Sequence, residues 1–328
     1  MSTTPPSLAR LQPVKIRAIT SAALTGESPK GGWSAEIKPQ DSIHALVAVH
    51  TDAGITGYGS VFTDARLVQA ALKVLEPLFL GENALEPERV SEKLHQNTFW
   101  MGRGGTLTHA ISGIDIALWD ILGKALNKPI YELIGGRVHE KLRSYTYIYP
   151  DLAKKQDDSI YWNAEQSAER AAHYVKLGFT GIKFDPAAPY SSFDPRQPSL
   201  ESIELCTRFC RLIREAVGDK ADLLFGTHGQ FTASGAIRFA KQIEKYNPLW
   251  FEEPTPPDRP EEMALVARGT SIPVATGERL TTKYEFGRVL ELRAASILQM
   301  ALGRVGGIWE AKKIAGMAEV FYAQIAPH

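Results

Sequence analysis

Three short motifs follow apolar runs at equal intervals late in the chain, and this repeat constrains the fold more than any other feature. The motifs are FGTHG (225–229), WFEEP (250–254) and ATGER (275–279). Within them, Gly226, Glu252 and Glu278 stand 26 residues apart. An apolar strand followed by a helical stretch, repeated at this length, is typical of one βα unit in a parallel barrel. The sequence therefore predicts that these three positions end neighbouring strands at one rim of a barrel.

The same alternation of strand and helix extends over the chain after residue 140. The predicted strands lie near 142–148, 180–184, 222–226, 248–252, 273–277, 295–299 and 323–326. Helical patterns separate them, including those at 167–177 and 199–217. This order favours a parallel α/β barrel. An eight-stranded barrel needs more chain than this, so we expect the natural protein to continue beyond His328.

The first part of the chain follows a different pattern. Residues 44–50 and 55–61 alternate as two strands joined by a tight turn, which predicts an antiparallel hairpin. Apolar residues then recur with helical period over 65–133. We therefore predict two domains, an α+β domain at 1–138 and a TIM-type barrel at 139–328.

Composition excludes several classes of function. Among the 328 residues, Lys plus Arg and Asp plus Glu both number 37, so no net charge favours nucleic acid or an anionic membrane. No apolar run approaches the roughly 18 residues of a membrane span, and residues 1–6 lack the features of a signal peptide. Cys206 and Cys210, four apart on a predicted helix, are expected to be buried free thiols. We expect a cytoplasmic homo-oligomer that binds a small molecule, without nucleic-acid or membrane partners.

The strand-end residues predict a metal site. Carboxylates that converge at the rim of a barrel suit a hard divalent cation such as Mg²⁺, and Glu252 and Glu278 are the predicted ligands. The first position of the repeat, Gly226, has no side chain to contribute. Glu253 and Arg279 directly follow the two ligands and are expected to orient them.

Two histidines are candidates for acid–base chemistry. His228 lies two residues past Gly226 and points the same way if the strand continues; the alternative is a structural histidine. His328 ends the last predicted strand, on the opposite side of the barrel. Two histidines that face each other across a metal-bound carboxylate can divide the work: one removes the adjacent proton, and the other protonates a leaving hydroxyl. The metal stabilises the resulting enediolate.

An earlier predicted strand ends in a lysine and an aspartate. Lys183 and Asp185 are two residues apart and therefore share one face of that strand. We expect an electrostatic or proton-transfer pair at the rim, and the alternative is a structural salt bridge.

These motifs resemble those of the enolase superfamily, in its mandelate racemase/muconate lactonizing enzyme-like branch, over essentially the whole chain. The matching segments are TDAGITGYG (51–59), SGIDIALWD (112–120), LIGG (133–136), FEEP (251–254), GER (277–279) and VGGI (305–308). The resemblance implies a modified TIM barrel with an N-terminal α+β capping domain. It also implies Mg²⁺ at the strand ends and a reaction that begins by removing the proton α to a carboxylate.

The resemblance further implies that two loops of the capping domain select the substrate. These loops match residues 24–33 and 97–105. The predicted substrate-binding residues are Trp33, Trp100, Arg103, Asp185 and Arg279.

Within the branch, the pattern is nearest to acid-sugar dehydratases of the galactonate type. In those enzymes the general acid matches His228 and the base matches His328. Asp185 stands where a second lysine would indicate a lysine-based racemase. The resemblance therefore implies a Mg²⁺-dependent acid-sugar dehydratase. The alternatives are a cycloisomerase of an anhydro-sugar acid or sugar lactone, and a non-catalytic relative that binds sugar acids.

Two positions depart from the family pattern. The family's first metal ligand is an acid at the position of Gly226, and the acid that hydrogen-bonds the base falls at Ala301. The first change leaves two carboxylate ligands, with water, substrate or Asp185 to fill the gap. The second leaves His328 without a carboxylate to fix its tautomer. The sequence thus predicts a site that has either been rebuilt or lost its activity.

Overall fold

The computed structural model describes residues 12–24, 44–151, 153, 158–186 and 196–328. The first of its two sheets is antiparallel and has the order β1-β2-β3. Its strands are β1 (Ile16–Leu24), β2 (His44–Thr51) and β3 (Thr56–Val61). The predicted hairpin is confirmed, since Ala45 pairs with Val61 and His50 with Thr56.

Four helices follow this sheet and complete the cap, the name used here for residues 12–24 and 44–133. They are α1 (Ala65–Phe79), α2 (Pro87–Asn97), α3 (Gly105–Leu126) and α4 (Ile130–Leu133). Helix α3 lies directly on β3. A Cβ on Gly57 would stand 2.0 Å from the carbonyl oxygen of Ala117, and one on Gly59 equally close to that of Gly113. Glycine at both positions therefore permits the close approach of helix and strand.

The second sheet has seven parallel strands, arranged in chain order. They are β4 (Thr146–Tyr147), β5 (Gly181–Phe184), β6 (Asp222–Gly226), β7 (Trp250–Glu252), β8 (Val274–Thr276), β9 (Ile297–Leu298) and β10 (Gln324–Ile325). Every predicted strand of the barrel is present, although most are shorter than predicted. The sheet curls as expected for a modified barrel of the α/β class, and the antiparallel cap is separate from it.

Helices connect the parallel strands. They are α5 (Ala164–Lys176), α6 (Leu200–Val217), α7 (Ala233–Ile243), α8 (Pro260–Gly269), α9 (Thr282–Glu291), α10 (Leu302–Val305) and α11 (Ile308–Val320). Side-chain caps determine where several begin. Asn163 accepts a hydrogen bond from the backbone of Gln166, so α5 begins three residues before the predicted start at 167. Ser199 caps α6 in the same way.

Alternate strand residues face opposite sides of the parallel sheet, and this alternation positions the site. Phe225 and Phe251 pack with the surrounding helices in the main barrel core. Their neighbours Leu224 and Trp250 belong to a separate cluster on the other face. The inward row continues two residues further along each strand, where it ends in Gly226 on β6 and in Glu252 on β7. Polar residues at these ends therefore line the interior of the barrel rim.

The remaining predictions on the fold concern cysteines and membrane spans. Cys206 and Cys210 are free and buried in the barrel core, as predicted. Within the described ranges, no helix combines the length and the apolar character that crossing a membrane requires.

Candidate active site

The predicted catalytic and metal-binding side chains lie together with Asp185, a predicted substrate-binding residue, at the ends of the parallel strands, and this group is called the barrel mouth. Its members are Lys183, Asp185, His228, Glu252, Glu278 and His328. The strand register explains the grouping, because Phe184 pairs with Phe225 and Gly226 pairs with Glu252. Parallel strands in register bring the residues that follow them to one edge of the sheet.

Glu252 is buried, and nitrogen donors surround it. Its Oε1 lies 2.5 Å from the Lys183 Nζ, while its Oε2 accepts hydrogen bonds from Gln299 Nε2 at 2.7 Å and Trp250 Nε1 at 3.2 Å. Lys183 is buried as well. Its burial alone would lower its pKa, but the negative charges of Glu252 and Glu278 outweigh this and raise the pKa. Lys183 is therefore a buried cation, held by the carboxylate that the sequence predicts as a metal ligand.

Glu278 stands between the two histidines. Its Oε2 lies 3.2 Å from His328 Nε2, and its Oε1 lies 3.9 Å from His228 Nε2. Burial alone would raise the pKa of Glu278, but the positive charges of His228, Lys183 and His328 outweigh it and lower the pKa to about 2. Each oxygen of the Glu278 carboxylate thus has one histidine near it, and the division of acid and base roles between the two histidines stays a prediction.

The loop after β6 presents His228 in a strained backbone conformation. His228 has φ of 46°, in the left-handed region that a residue with a side chain seldom adopts. Hydrogen bonds on either side hold it there, from Thr227 N to Glu252 O and from Gly229 N to Glu253 O. His228 Nδ1 lies 3.0 Å from Asp185 Oδ2. Burial alone would lower the pKa of His228, but Asp185 and Glu278 outweigh it and raise the pKa to about 9.

His328 has a different environment on the far side of Glu278. Its backbone N–H donates to the Met300 carbonyl oxygen at 3.1 Å, and its ring stacks on Phe62 of the cap at 5.9 Å between centroids. Burial, opposed in part by Glu278, lowers its pKa. Ala301, where the resemblance implies an acid, is buried. An aromatic ring from the cap therefore contacts the histidine that the sequence predicts to lack its carboxylate partner.

Asp185 occupies the space beside Gly226. A Cβ on Gly226 would stand 2.7 Å from Asp185 Oδ1 and 3.4 Å from Lys183 Cε. Asp185 is buried, and within the described ranges its Oδ1 has no hydrogen-bond partner. A buried carboxylate oxygen without a donor is unusual in a folded protein.

The chemistry of these donors fits a hard cation. The acids here offer only carboxylate oxygens, the ligands that Mg²⁺ prefers; they are Asp185, Glu252 and Glu278. The unpaired Oδ1 of Asp185 is available to bind a cation. Across the described ranges, no three acidic, histidine or cysteine side chains already enclose a common point for an ion. Lys183 supplies the positive charge beside Glu252 instead.

The other predicted substrate-binding residues have different surroundings from one another. Arg279 Nη2 lies 2.8 Å from Glu253 Oε2, so this cation is paired with the acid that follows β7. Trp100 is 92% exposed, and the guanidinium of Arg103 lies over the Phe99 ring at 5.1 Å. Trp33 and the predicted loop at 24–33, apart from its first residue, lie outside the described residues. The roles of all these residues stay predictions.

Three residues at the mouth were not predicted from the sequence. Gln299, directly after β9, binds Glu252, and the strand-end rule that selected Glu252 would also have selected it. Arg304 Nη1 donates to the Glu278 carbonyl oxygen, and its Nε donates to that of Phe62. Phe62 belongs to the cap, and no sequence spacing within the barrel connects it to His328.

Known proteins are similar to this chain in sequence and fold. Residues 37–135 match the family described as the mandelate racemase / muconate lactonizing enzyme N-terminal domain, and residues 166–328 match the enolase C-terminal domain-like family. The D-xylonate dehydratase of Haloferax volcanii is 35% identical over 288 residues, which span 86% of this chain and 68% of that protein.

Solved structures extend the match to the whole arrangement of strands and helices. The mandelate racemase/muconate lactonizing enzyme-like protein from Roseovarius sp. TM1035 has 46% identity and a TM-score of 0.89, with 96% of this chain and 78% of that chain covered. The mandelate racemase/muconate lactonizing enzyme from Sulfitobacter sp. has 47% identity and a TM-score of 0.88, with the same coverage. This chain therefore belongs to the mandelate racemase/muconate lactonizing enzyme family of the enolase superfamily.

Proposed function

We propose that this chain is an acid-sugar dehydratase that acts on an aldonic acid of the D-xylonate type. The observation that carries the proposal is the placement of His228 and His328 on either side of Glu278, at 3.9 and 3.2 Å. The identity of 35% to a D-xylonate dehydratase over most of the chain supports the same reaction class. The domain boundary near residue 138 remains part of this proposal.

The reaction removes water from neighbouring carbons of the acid sugar. His328 takes the proton from the carbon next to the carboxylate, and the electron pair of that C–H bond passes into the carboxylate group as an enediolate. The same pair forms a carbon–carbon double bond with the adjacent carbon when the hydroxyl there leaves. His228 gives a proton to the hydroxyl on the adjacent carbon, which leaves as water. The enol that remains becomes a 2-keto-3-deoxy acid by tautomerisation. The contact of His228 with the Asp185 carboxylate favours the protonated imidazole that a general acid needs.

Members of the enolase superfamily generally use Mg²⁺. In this chain Glu252 and Glu278 would hold it, with the carboxylate of Asp185 nearby. When bound, Mg²⁺ would stabilise the negative charge that the substrate carboxylate gains on loss of the α proton. Lys183, buried between the acids, adds a second positive charge at this point.

A substrate screen tests the proposal. Purified protein is incubated with Mg²⁺ and a panel of aldonic and aldaric acids and their lactones, and products are identified by proton NMR. We expect a 2-keto-3-deoxy acid from at least one aldonic acid, and none from the His328→Asn variant. Opening or closing of a lactone ring without loss of water would instead indicate a cycloisomerase. Turnover of no acid by a protein that binds Mg²⁺ would contradict the proposed enzyme activity.

A further inference from the structure

We propose that Asp185 supplies the third carboxylate of the Mg²⁺ site, in place of the acid that is absent at Gly226. The inference rests on the proposed function only in that the family uses Mg²⁺, and its test measures metal binding without substrate. On this inference, the metal ligand has moved from position 226 at the end of β6 to position 185 after the neighbouring strand, β5.

The register of the strands places Asp185 beside the vacant position. Phe184, the last residue of β5, pairs with Phe225 of β6, so the next residues along the two strands, Asp185 and Gly226, are neighbours. Gly226 in turn pairs with Glu252 on β7. A carboxylate on residue 185 therefore lies one strand away from the position at which the family carries its acid.

The space at residue 226 admits one acid side chain, not two. A Cβ on Gly226 would stand 2.7 Å from Asp185 Oδ1, closer than two such atoms approach without one of them moving. An aspartate at 226 would add three further heavy atoms to the same volume. Gly226 and Asp185 are thus complementary, because the absence of one side chain makes room for the other.

The free oxygen of Asp185 is the second, independent observation. The residue is only 8% exposed. His228 engages Oδ2 at 3.0 Å, whereas Oδ1 has no hydrogen-bond partner among the described residues. The Tyr147 hydroxyl interacts with the same carboxylate, and this interaction together with burial raises the pKa of Tyr147. A buried, charged acceptor without a donor is costly unless a ligand satisfies it, and beside two further carboxylates that ligand is a cation.

Lys183 places a positive charge among these acids. Its ammonium is 2.5 Å from Glu252 Oε1 and lies among the charges of Glu252, Glu278 and Asp185. A divalent cation that binds Glu252 must compete with this ammonium. We therefore expect the replacement of Lys183 by a neutral side chain to tighten metal binding, even though it removes a charge proposed to act on the substrate.

Mn²⁺ binding to the substrate-free protein tests the inference. Free Mn²⁺ is measured by electron paramagnetic resonance, and Mg²⁺ affinity is obtained by competition. Asp185→Asn should weaken binding about tenfold or more, since it removes a charged ligand. Gly226→Asp alone should not tighten binding, because its side chain clashes with Asp185. The double variant Asp185→Gly with Gly226→Asp moves the carboxylate to the next strand and should restore affinity to within about threefold of the original protein.

Asp222→Asn is the matched control, since Asp222 lies at the opposite end of β6 and pairs with Arg143. It should leave Mn²⁺ affinity unchanged, and circular dichroism should show that every variant is folded. Lys183→Met should bind Mn²⁺ more tightly than the original protein. Unchanged affinity in Asp185→Asn, alongside a loss in Glu252→Gln, would overturn the inference, as would tighter binding in Gly226→Asp alone or an original protein that binds no Mn²⁺. Metal binding that depends on Asp185 without turnover of any acid sugar would contradict the proposed function and leave this site intact.

Discussion

A carboxylate oxygen fills the space beside a glycine in two regions of this molecule, the barrel mouth and the junction where α3 of the cap meets α11. Asp185 Oδ1 lies 2.7 Å from the Cβ position of Gly226, and Asp115 Oδ1 lies 2.1 Å from that of Gly307. The junction oxygen accepts hydrogen bonds from the backbone of Ile308 and Trp309. The mouth oxygen has no partner in the part of the chain described. The same local packing thus serves helix capping at the junction and leaves an acceptor for a ligand at the mouth.

The two regions also differ in the pKa of a buried acid, which is lowered at the mouth and raised at the junction. Glu278 at the mouth and Asp115 at the junction are both buried. The cations His228 and Lys183 help lower the pKa of Glu278 to about 2. Burial raises the pKa of Asp115 to about 6, although the hydroxyl of Ser91 and two backbone N–H groups oppose it. Burial alone therefore does not decide the charge of an acid, because the nearby cations do.

The largest expected effect separates the two histidines of the mouth. His328→Asn should abolish exchange of the substrate's α proton with solvent and reduce turnover roughly 10²- to 10⁴-fold, because it removes the proposed base. His228→Asn should retain exchange while slowing loss of the hydroxyl. Deuterium incorporation from D₂O, followed by NMR, measures the first step, and product formation measures the second. Equal exchange in the original protein and in His328→Asn would exclude His328 as the base.

The second prediction compares the two glycines. Gly307 has φ of 97° and a carboxylate at its Cβ position, so Gly307→Ala should lower the free energy of unfolding by about 4 kcal/mol through backbone strain and overlap. The Cβ of Gly226→Ala would overlap only the carboxylate end of Asp185, which can move. This variant should therefore lower the free energy of unfolding by only about 1 kcal/mol. Urea denaturation of both variants without metal measures the difference. Similar losses would show that the mouth is packed as rigidly as the junction.

The positions of the strands in the barrel and the cap could be predicted from the sequence, because they depend on periodicity along the chain. The equal spacing of 226, 252 and 278 correctly predicted three neighbouring strand ends, and the antiparallel hairpin of the cap was equally predictable. From the sequence, Asp185 is only one of several groups that could fill the gap at Gly226. Choosing among them requires the distance between two side chains on adjacent strands, which spacing does not supply.

Contacts between distant segments account for what the sequence did not predict. Phe62 follows β3 of the cap and His328 follows β10 of the barrel, and Asp115 caps a helix almost 200 residues away. No local pattern encodes these pairs, since they form only when the cap and the barrel pack together. The pairing of Arg279 with Glu253 is another contact between separate segments of the chain.

The third prediction uses the raised pKa of Asp115. Its pKa is about 6 in the folded protein against an ordinary value of 3.8, so the unfolded chain loses this proton at lower pH than the folded one. The stability contributed by protonated Asp115 is therefore full below about pH 4 and is lost as pH rises through about 6, a change of at most about 3 kcal/mol. Asp115→Asn keeps an acceptor for the α11 backbone and should remove this dependence.

Denaturation midpoints measured from roughly pH 4 to 7 test this prediction. The original protein should lose stability relative to Asp115→Asn as pH rises over that interval. Asp222→Asn, which alters an exposed pair with Arg143, controls for a general effect of removing an acid. A constant difference between the original protein and Asp115→Asn at every pH would mean that Asp115 does not titrate in this range.

The smallest expected effect is at Phe62, which belongs to the cap but acts at the mouth. Its ring stacks on His328 at 5.9 Å and lies 3.9 Å from the Arg304 guanidinium, so it restricts the orientation of the proposed base. Phe62→Leu should reduce kcat by about tenfold or less, because stacking of this kind contributes about 1 kcal/mol. KM should change little, and the rate of α-proton exchange should fall in parallel with kcat.

A positioning role for Phe62 can be separated from a role in folding. Phe62→Tyr keeps the aromatic face and should preserve kcat, whereas a change that merely disturbed the cap would not be rescued in this way. Phe179→Leu is the matched control, since Phe179 contacts Tyr174 before β5, at the opposite end of that strand from the mouth. Equal losses of kcat in Phe62→Leu and Phe179→Leu would show that the ring supports the fold rather than His328. A loss in Phe62→Leu alone, with exchange slowed to match, would mean that the cap helps to orient the base where the family's carboxylate is replaced by Ala301.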